Sequence, residues 1–331
     1  MTAETAELSY FVPGQGTQWF DVAVAVVADE CSDVRRITLE YPHRLPAHDP
    51  GSHVKVQIPA GDKIVSRSYS IVSIDEGRHV TVAVRRMENG YGGSIAMHKL
   101  RPGDALRASD PTNHFKLLPG APFYQLIAGG IGITPIIGMA RALRRMGLPF
   151  QILYTGRAEA NMPLLSDLRR EFAAELKVHL SEEAGLFDFA PLVTSLPVGG
   201  EVYMCGPKPM MDAVAAEWMA QGRPVDLLRL ETFGAASDKP AGTFHVRIPS
   251  KSIEVEVRPD HTMLEALEKA GAEPLYFCQR GECGLCVVDV LEIKGELDHR
   301  DVFFSPEERA EAAQLCTCVS RATGELSIDM P

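Results

Sequence analysis

The spacing of cysteines near the end of the chain constrains its fold more than any other feature. Cys278, Cys283 and Cys286 follow one another as C-x4-C-x2-C, and Cys316 and Cys318 stand well downstream. Three closely spaced thiolates and a distant fourth are typical of plant-type [2Fe-2S] centres. The pattern therefore predicts an iron-sulfur loop closed by one of the two downstream cysteines.

Two glycines and the downstream pair refine this prediction. Gly281 and Gly284 let the loop wrap tightly around a small inorganic core, because glycine accepts positive φ. The alternatives are buried cysteines without a metal and a zinc site, although zinc more naturally shows paired C-x2-C knuckles.

Cys316 and Cys318 lie on a predicted strand, 315–320, whose alternation sends their side chains to opposite faces. Only one of them is then expected to reach the cluster.

Composition excludes several other classes of protein. The chain has 331 residues, 45% hydrophobic and 23% charged, which is typical of a globular protein with two or three domains. Its longest apolar run, 22–28, is too short to span a bilayer, and residues 1–10 do not resemble a secretory signal. We therefore expect a cytoplasmic protein without membrane association.

Charge is distributed unevenly along the chain. The net charge is -11, and residues 242–331 contain 17 acidic against 9 basic side chains. Nucleic-acid binding is therefore not expected. The acidic segment either docks a basic protein surface or is simply a solvated face.

The order of apolar runs and turns predicts three domains. Residues 17–118 show short Val- and Ile-rich runs separated by turn signals, typical of an antiparallel β-barrel. Residues 119–233 alternate apolar strands with helices, which predicts an α/β domain with a parallel sheet. Residues 234–242 are small and polar and predict a linker. Residues 243–331 begin with a predicted hairpin and a helix, an α+β pattern.

Two glycine turns follow predicted strands of the α/β domain. The first opens a helix, where backbone N–H groups and the helix dipole favour a pyrophosphate. Its residues are Gly129, Gly130, Gly132, Thr134 and Pro135. It departs from GxGxxG because a proline replaces the third glycine. The second turn consists of Cys205, Gly206 and Pro207. Ligands of such sheets bind at the carboxyl ends of strands, so the two turns predict a nucleotide site, with ordinary structural turns as the alternative.

The predicted barrel carries two candidate phosphate sites. In Arg67-Ser68-Tyr69-Ser70, the first and third side chains share one face of a strand, so they can hold a phosphate and an adjoining group together. The segment Gly92-Gly93-Ser94 offers an amide-rich nest, with a hairpin turn as the alternative.

Taken in order, these segments resemble the phthalate dioxygenase reductase family, within the ferredoxin-NADP reductase superfamily, and are similar also to vanillate demethylase reductases. The matching strings are RSYS, GYGGSIAMH, NHFKL, AGGIGITP, CGPKPMM, CQRGECGLC and TCVSRA. The resemblance covers about residues 17–331. It implies an FMN-binding barrel at 17–118, an NAD-binding domain at 119–233 and a β-grasp plant-type ferredoxin domain at 243–331.

The resemblance also implies roles for particular residues. Ser70 would form a hydrogen bond near flavin N5, and Cys205 would lie against the nicotinamide ring. Glu231 and Phe233 match a Glu-x-Phe ending whose ring lies beside the flavin, although they also suit a domain-junction anchor. Cys318, within Thr-Cys-Val, becomes the fourth cluster ligand and Cys316 a buried apolar residue. The implied flavin contacts are Arg67, Ser68, Tyr69, Ser70, Gly92, Gly93 and Ser94.

Members of that family use FMN and NADH to supply electrons to a Rieske-type mononuclear iron oxygenase. The resemblance therefore implies the reductase component of such a system, here expected to be a monomer.

Arg157, which follows a predicted strand, is suited to a 2'-phosphate, and Glu159 is the nearest ribose-binding acid, so NADPH stays open as the coenzyme. The alternatives are an FAD reductase serving a diiron oxygenase or a cytochrome, and a non-catalytic iron-sulfur redox module. The extra length between Cys286 and Cys318 is expected in a surface loop at 298–306.

Overall fold

The computed structural model describes residues 18–46, 48–60, 63–87, 92–233, 242–259, 261–276, 281, 284–301 and 303–330. Three main sheets follow one another along the chain. Within the described residues, no helix is both long enough and apolar enough to span a bilayer. The predicted linker falls almost wholly outside the described residues, and the predicted domain bounds stay predictions.

An antiparallel barrel forms the first part of the chain, as predicted. Its strands are β1 (Trp19–Cys31), β2 (Val34–Glu40), β3 (Ser52–Ala60), β4 (Lys63–Asp75), β5 (His79–Arg85), β6 (Ala105–Ser109) and β7 (Thr112–Asn113), and helix α1 (Gly93–Met97) packs beside β3. The strand order is β4-β5-β2-β1-β6-β3-β7, and pairing of β3 with β4 closes six strands into the barrel. Alternating Ile37, Leu39, Val80 and Val82 fill the interior, because successive strand residues point to opposite faces.

The second sheet is parallel, as predicted for an α/β domain. Its elements are β8 (Tyr124–Gly129), α2 (Ile133–Met146), β9 (Phe150–Gly156), α3 (Leu165–Phe172), β10 (Leu176–Leu180), α4 (Ser181–Ala184), α5 (Ala190–Ser195), β11 (Glu201–Cys205), α6 (Lys208–Ala220) and β12 (Leu228–Glu231). The order is β10-β9-β8-β11-β12, and every pairing is parallel. The chain proceeds outward from β8 in one direction and from β11 in the other. The crevice between β8 and β11 is therefore the topological switch point, where such sheets bind ligands.

The third sheet has the β-grasp arrangement predicted for a ferredoxin domain. Its elements are β13 (Phe244–Ile248), β14 (Ile253–Val257), α7 (Met263–Lys269), β15 (Val287–Lys294), β16 (Leu297–Asp298), α8 (Pro306–Glu311), β17 (Gln314–Cys316), β18 (Arg321–Ala322) and β19 (Gly324–Asp329). The order is β14-β13-β19-β15-β17, with β13 and β19 parallel. Thr262 and Glu265 form a capping box that starts α7, and Leu267 of that helix packs in the sheet's core.

The barrel and the parallel sheet share a hydrophobic core. Val72 and Phe115 of the barrel part pack with Ile136 and Met139 of α2. Arg141 donates to the Val72 carbonyl at 2.9 Å and pairs with Glu171 at 2.8 Å, so one guanidinium bridges the two units. These contacts fix the barrel relative to the switch point.

Candidate active site and iron-sulfur loop

The two glycine turns meet at the switch point. Ala128 and Cys205 are partners in the pairing of β8 with β11. A Cβ on Gly132 would overlap the Cys205 carbonyl oxygen, and a Cβ on Gly129 would lie 2.6 Å from Pro207 Cδ. The structure therefore brings both predicted turns into direct contact, with Cys205 almost fully buried between them.

The start of α2 matches the predicted first turn. Gly130 has φ +53, and no atom would lie within 4 Å of a Cβ placed on it. Thr134 Oγ1 donates to the Ile131 carbonyl at 3.1 Å, and Pro135 is buried in the first helical turn, where its missing N–H costs nothing. Gly130 therefore lies in open space at the strand-to-helix turn, where a pyrophosphate is expected.

Gly132 and Gly130 differ in the space available for a side chain, so alanine should destabilise the protein more at one than at the other. Gly132→Ala should lower the free energy of unfolding by about 3 kcal/mol, because the new methyl group meets a backbone oxygen that cannot move aside. Gly130→Ala should cost only about 1 kcal/mol, the penalty for a side chain at positive φ. Urea unfolding of both variants checks this, and equal losses would show that the close approach at Gly132 is unimportant.

Arg157 and Glu159 are the residues predicted to distinguish NADPH from NADH, and they differ in whether another side chain of the chain already binds them. Arg157 follows β9 directly and is exposed, and its carbonyl accepts the Glu182 N–H at 3.1 Å. Glu159 is paired with Arg169 of α3 (Arg169 Nη1 to Glu159 Oε2, 2.9 Å), and hydrogen bonding by that arginine lowers the pKa of its carboxyl. Glu159 is thus already engaged within the chain, whereas Arg157 is open to a ligand.

Successive side chains of the predicted flavin-binding motif, residues 67–70 of β4, point to opposite faces of the strand. Tyr69 packs against the barrel core, and burial raises the pKa of its phenol above the usual range. Arg67 lies on the same face by alternation, and its Nη1 donates to the Ser66 carbonyl at 2.7 Å. Ser70 belongs to the other face, together with Val72, which packs into the core shared with the parallel sheet. Ser68 is half-buried and lies opposite Lys55 in β3.

Ser70 carries a buried polar group at the predicted flavin site. Its side chain is 5% exposed, and among the described residues its hydroxyl has no hydrogen-bond partner. A buried hydroxyl without a partner costs about 1–3 kcal/mol, so it marks a place where a ligand atom is expected. This observation fits a flavin with a polar edge atom at Ser70.

Around α1, the predicted phosphate nest is partly described. Gly92 adopts φ +82 and caps the helix, and Gly93 is buried. Ser94 Oγ accepts the Met87 N–H at 3.0 Å, which ties Met87 to the start of α1. Residues 88–91, which include the start of the GYGGS string, lie outside the described residues.

At the edge of the parallel sheet, Glu231 ends β12 beside Cys205, and Phe233 follows two residues later. Glu231 is fully buried and pairs in register with Cys205, so Cys205 has Ala128 on one side and Glu231 on the other. Phe233 is 41% exposed and ends the described segment that precedes the predicted linker. Ala128, Cys205 and Glu231 therefore form a row across the carboxyl ends of β8, β11 and β12.

Of the predicted cluster ligands, the structure describes Cys286 and Cys318, while Cys278 and Cys283 lie outside the described residues. Both described thiols are buried, and their sulfur atoms are 3.2 Å apart. Hydrogen bonding with Cys316 and Cys318 lowers the pKa of the Cys286 thiol, which favours the thiolate that binds iron. Two buried, converging sulfurs fit a [2Fe-2S] cluster.

The predicted strand through residue 320 is wrong. Strand β17 ends at Cys316, and residues 317–319 turn, with the Ser320 N–H donating to the Cys316 carbonyl at 2.9 Å. Alternation therefore does not separate the two side chains, and both contact Cys286. The choice of Cys318 as ligand stays a prediction.

The predicted surface loop at 298–306 is also wrong. Asp301 is fully buried, and Phe304 packs with Cys286 and Cys318 in one cluster. The loop glycines lie against this segment: a Cβ on Gly281 (φ +74) would lie 2.8 Å from Asp301 Cα, and one on Gly284 (φ +72) would overlap the Phe303 ring. No sequence pattern marked Asp301 or Phe303, and only the extra length of the interval hinted that this segment has a role.

Comparison with known proteins agrees with this arrangement. The family model described as "2Fe-2S iron-sulfur cluster binding domain" matches residues 246–323, and "Oxidoreductase FAD-binding domain" matches residues 21–117. The chain is 36% identical to the carnitine monooxygenase reductase subunit of Escherichia coli (strain K12), over 93% of this chain and 97% of that protein. It is 35% identical to the heme-dependent oxidative N-demethylase beta subunit of Ectopseudomonas mendocina (strain ymp), over 92% and 96%.

Among solved structures, a phthalate dioxygenase reductase, described as modular for electron transfer from pyridine nucleotides to [2Fe-2S], superposes with a TM-score of 0.78 and 31% identity. The match covers 94% of this chain and 98% of that one. Fold and matched models together define a flavin- and [2Fe-2S]-containing oxidoreductase that transfers electrons through both groups. The chain belongs to the phthalate dioxygenase reductase-like family, whose relatives include reductase subunits of oxygenase systems.

Proposed function

We propose that the chain is the NADH-dependent, FMN-containing reductase component of a Rieske-type oxygenase system for small molecules. The observation that carries the proposal is the buried Ser70 hydroxyl, without a partner in the described residues, on the barrel face that points toward the parallel sheet. A flavin edge at Ser70 and a nicotinamide at Cys205 would occupy the two sides of this junction.

The chain's own residues then have distinct tasks. Ser70 would donate a hydrogen bond at the edge of the flavin ring, and Arg67 with the Gly92–Ser94 turn would hold its phosphate. The turn at Gly130 would hold the coenzyme pyrophosphate, while Cys205 and Glu231 would position the nicotinamide and Phe233 would cover the flavin ring. None of these side chains needs to act as a general acid or base.

When bound, the flavin would supply the conversion of the electron pair of a hydride into single electrons, which a one-electron cluster requires. Cys278, Cys283, Cys286 and Cys318 would hold the cluster. The acidic segment around it, with 17 acidic against 9 basic residues from 242 to 331, suits a basic docking surface on the oxygenase.

Two measurements test the cofactor proposals. Flavin released by heat and separated by chromatography should be FMN, in keeping with the resemblance of the barrel motifs, and FAD would refute that choice.

Cytochrome c reduction should show a higher kcat/KM with NADH than with NADPH. A preference for NADPH would assign Arg157 to a 2'-phosphate instead.

A heme-containing partner is the second candidate. It is favoured by the heme-dependent N-demethylase relative, whose identity of 35% is close to that of the carnitine monooxygenase relative. Copurification of the tagged chain with its partner, followed by the absorption spectrum of the complex, separates the two. A Soret band would identify heme, and a Rieske-type signal in electron paramagnetic resonance would identify the proposed oxygenase.

Cleavage of the predicted linker gives a further prediction. Cutting a protease site placed within residues 234–242 should leave NADH-ferricyanide activity nearly unchanged, because the flavin and nucleotide residues all precede it. Cytochrome c reduction should fall at least tenfold, since the cluster is then no longer tethered to the flavin. Loss of both activities would contradict modular transfer.

The clustered cysteines suit the reducing cytoplasm, and we propose that the protein acts there as a monomer. Sedimentation equilibrium should return the mass of one chain, 36.1 kDa. A mass of two chains at micromolar concentration would refute the monomer.

A further inference from the structure

A segment centred on the buried residues Asp301 and Phe304 lies against the cluster loop. We define the clasp as residues 299–301 with 303–304, since residue 302 lies outside the described residues. Gly281, between the predicted ligands Cys278 and Cys283, lies against the backbone and Cβ of Asp301 (2.8 and 2.9 Å from an added Cβ). The Phe303 ring covers Gly284 in the same way. The clasp therefore touches the cluster loop at both of its positive-φ glycines.

The clasp carries a buried charge with its own counter-ion. Asp301 is 0% exposed and accepts the Phe304 N–H at 3.0 Å. Its other oxygen lies 3.4 Å from His299 Nδ1, and the Arg309 guanidinium lies 3.7 Å from its carboxylate and donates to its carbonyl at 2.9 Å. Burial alone raises the pKa of the Asp301 carboxyl, but hydrogen bonds from His299 and Phe304 and the charge of Arg309 lower it overall.

We propose that Asp301 is a positioning residue for the iron-sulfur cluster: its buried carboxylate holds in place the clasp that lies against Gly281, and its negative charge lowers the cluster's reduction potential, with Arg309 as the opposing positive charge. The inference rests on the proposed cluster loop, and it assigns a function to a segment that the four cysteines do not include.

The negative charge of Asp301 and the positive charge of Arg309 should shift the reduction potential of the cluster in opposite directions. Reduction adds one electron to the cluster, so a nearby carboxylate opposes it and a nearby guanidinium favours it. Both groups lie in a buried network, where charges are weakly screened. Neutralising Asp301 should therefore raise the reduction potential, and neutralising Arg309 should lower it. A role confined to holding the fold would not produce opposite shifts.

The test is a redox titration of the purified full-length protein, followed by the visible absorption of the cluster. Asp301→Asn keeps the shape and the acceptor for the Phe304 N–H but removes the charge. We expect about a tenfold change in the ratio of reduced to oxidised cluster at a fixed potential, equal to about +59 mV for one electron. Arg309→Gln should shift the ratio the other way, by at least about threefold.

Glu325→Gln is the matched control. It neutralises a carboxylate of the same domain that is exposed and paired with Lys294 at 2.8 Å. Lys294 is seven residues along β15 from Val287, the register partner of Cys316, so this pair lies roughly 23 Å from the cysteines. The control should leave the potential unchanged.

Each outcome of the redox titrations either supports the proposal or overturns it. Unchanged potentials, or shifts of the same sign in Asp301→Asn and Arg309→Gln, would overturn the proposal. If Asp301→Asn fails to hold a cluster, Arg309→Gln decides alone, since a lowered potential supports the proposal and any other result overturns it. Absence of a cluster from the unmodified protein would instead refute the proposed cluster loop.

Discussion

Replacing Cys318 by serine is expected to remove the cluster, with cytochrome c reduction falling to less than about 1% of its original rate. The Cys318 sulfur lies 3.2 Å from that of Cys286, and serine cannot supply the thiolate that iron requires. NADH-ferricyanide activity should persist, because the predicted flavin and coenzyme residues all precede the ferredoxin domain. Iron analysis and visible absorption of the purified variant measure the loss directly.

Cys316→Ser is the matched comparison, because it changes the neighbouring buried thiol in the same way. Cys316 is fully buried and also contacts Cys286, so this variant should be less stable but should retain the cluster absorbance. The opposite result, with the cluster kept in Cys318→Ser and lost in Cys316→Ser, would make Cys316 the ligand. That outcome would also restore the loop length that is usual in plant ferredoxins.

Removing the Ser70 hydroxyl is expected to slow flavin reduction by NADH about 100-fold, the usual effect of losing one preorganised donor at a reacting centre. The hydroxyl is buried and has no partner in the described part of the chain, so Ser70→Ala should cost little stability. Anaerobic stopped-flow absorbance of the flavin measures the rate.

Ser66→Ala provides the control for this measurement. Ser66 lies on the same strand and the same alternating face as Ser70, but its side chain is exposed. Its rate of flavin reduction should match that of the unmodified protein. An unchanged rate in Ser70→Ala would remove Ser70 from the hydride-transfer step, and equal slowing in both variants would indicate a general effect on the strand.

The sequence predicted those features that depend on local spacing. Ligand spacing in Cys278–Cys286 and the strand-turn-helix at Gly129–Pro135 follow from a few consecutive residues, whose geometry is set by backbone freedom and helix capping. The antiparallel barrel, the α/β domain and the α+β pattern of the third domain were predictable for the same reason, because alternation and helical periodicity are properties of short segments. The β-grasp arrangement was implied by the family resemblance.

Features that arise from packing between distant segments could not be predicted in this way. The turn after Cys316 forms because Thr317 docks on Cys286 and on α7: its N–H donates to the Cys286 carbonyl at 3.1 Å and its carbonyl accepts from Leu264 N at 3.0 Å. A strand pattern extended through residue 320 contains no sign of that docking. The burial of Asp301 likewise depends on Gly281, twenty residues earlier, and on Arg309 of α8.

Ser70 combines both cases. Its motif was recognised from consecutive residues, yet its orientation toward the parallel sheet depends on Val72 joining the shared core. The same is true of Glu159, which the spacing nominated for a ribose and which the structure pairs with Arg169. Tertiary contacts therefore distinguished the candidates that local patterns had treated alike.

The most direct test of the central claim, that electrons pass from a nicotinamide coenzyme through a flavin to the cluster, is an anaerobic titration of the purified protein with NADH. Flavin and cluster absorbance should both bleach, with an end point of about 1.5 NADH per chain, since two electrons reduce the flavin and one reduces the cluster. Electron paramagnetic resonance of the same samples should show the reduced [2Fe-2S] signal. A flavin that bleaches while the cluster stays oxidised, or a chain that dithionite reduces and neither NADH nor NADPH does, would contradict the account.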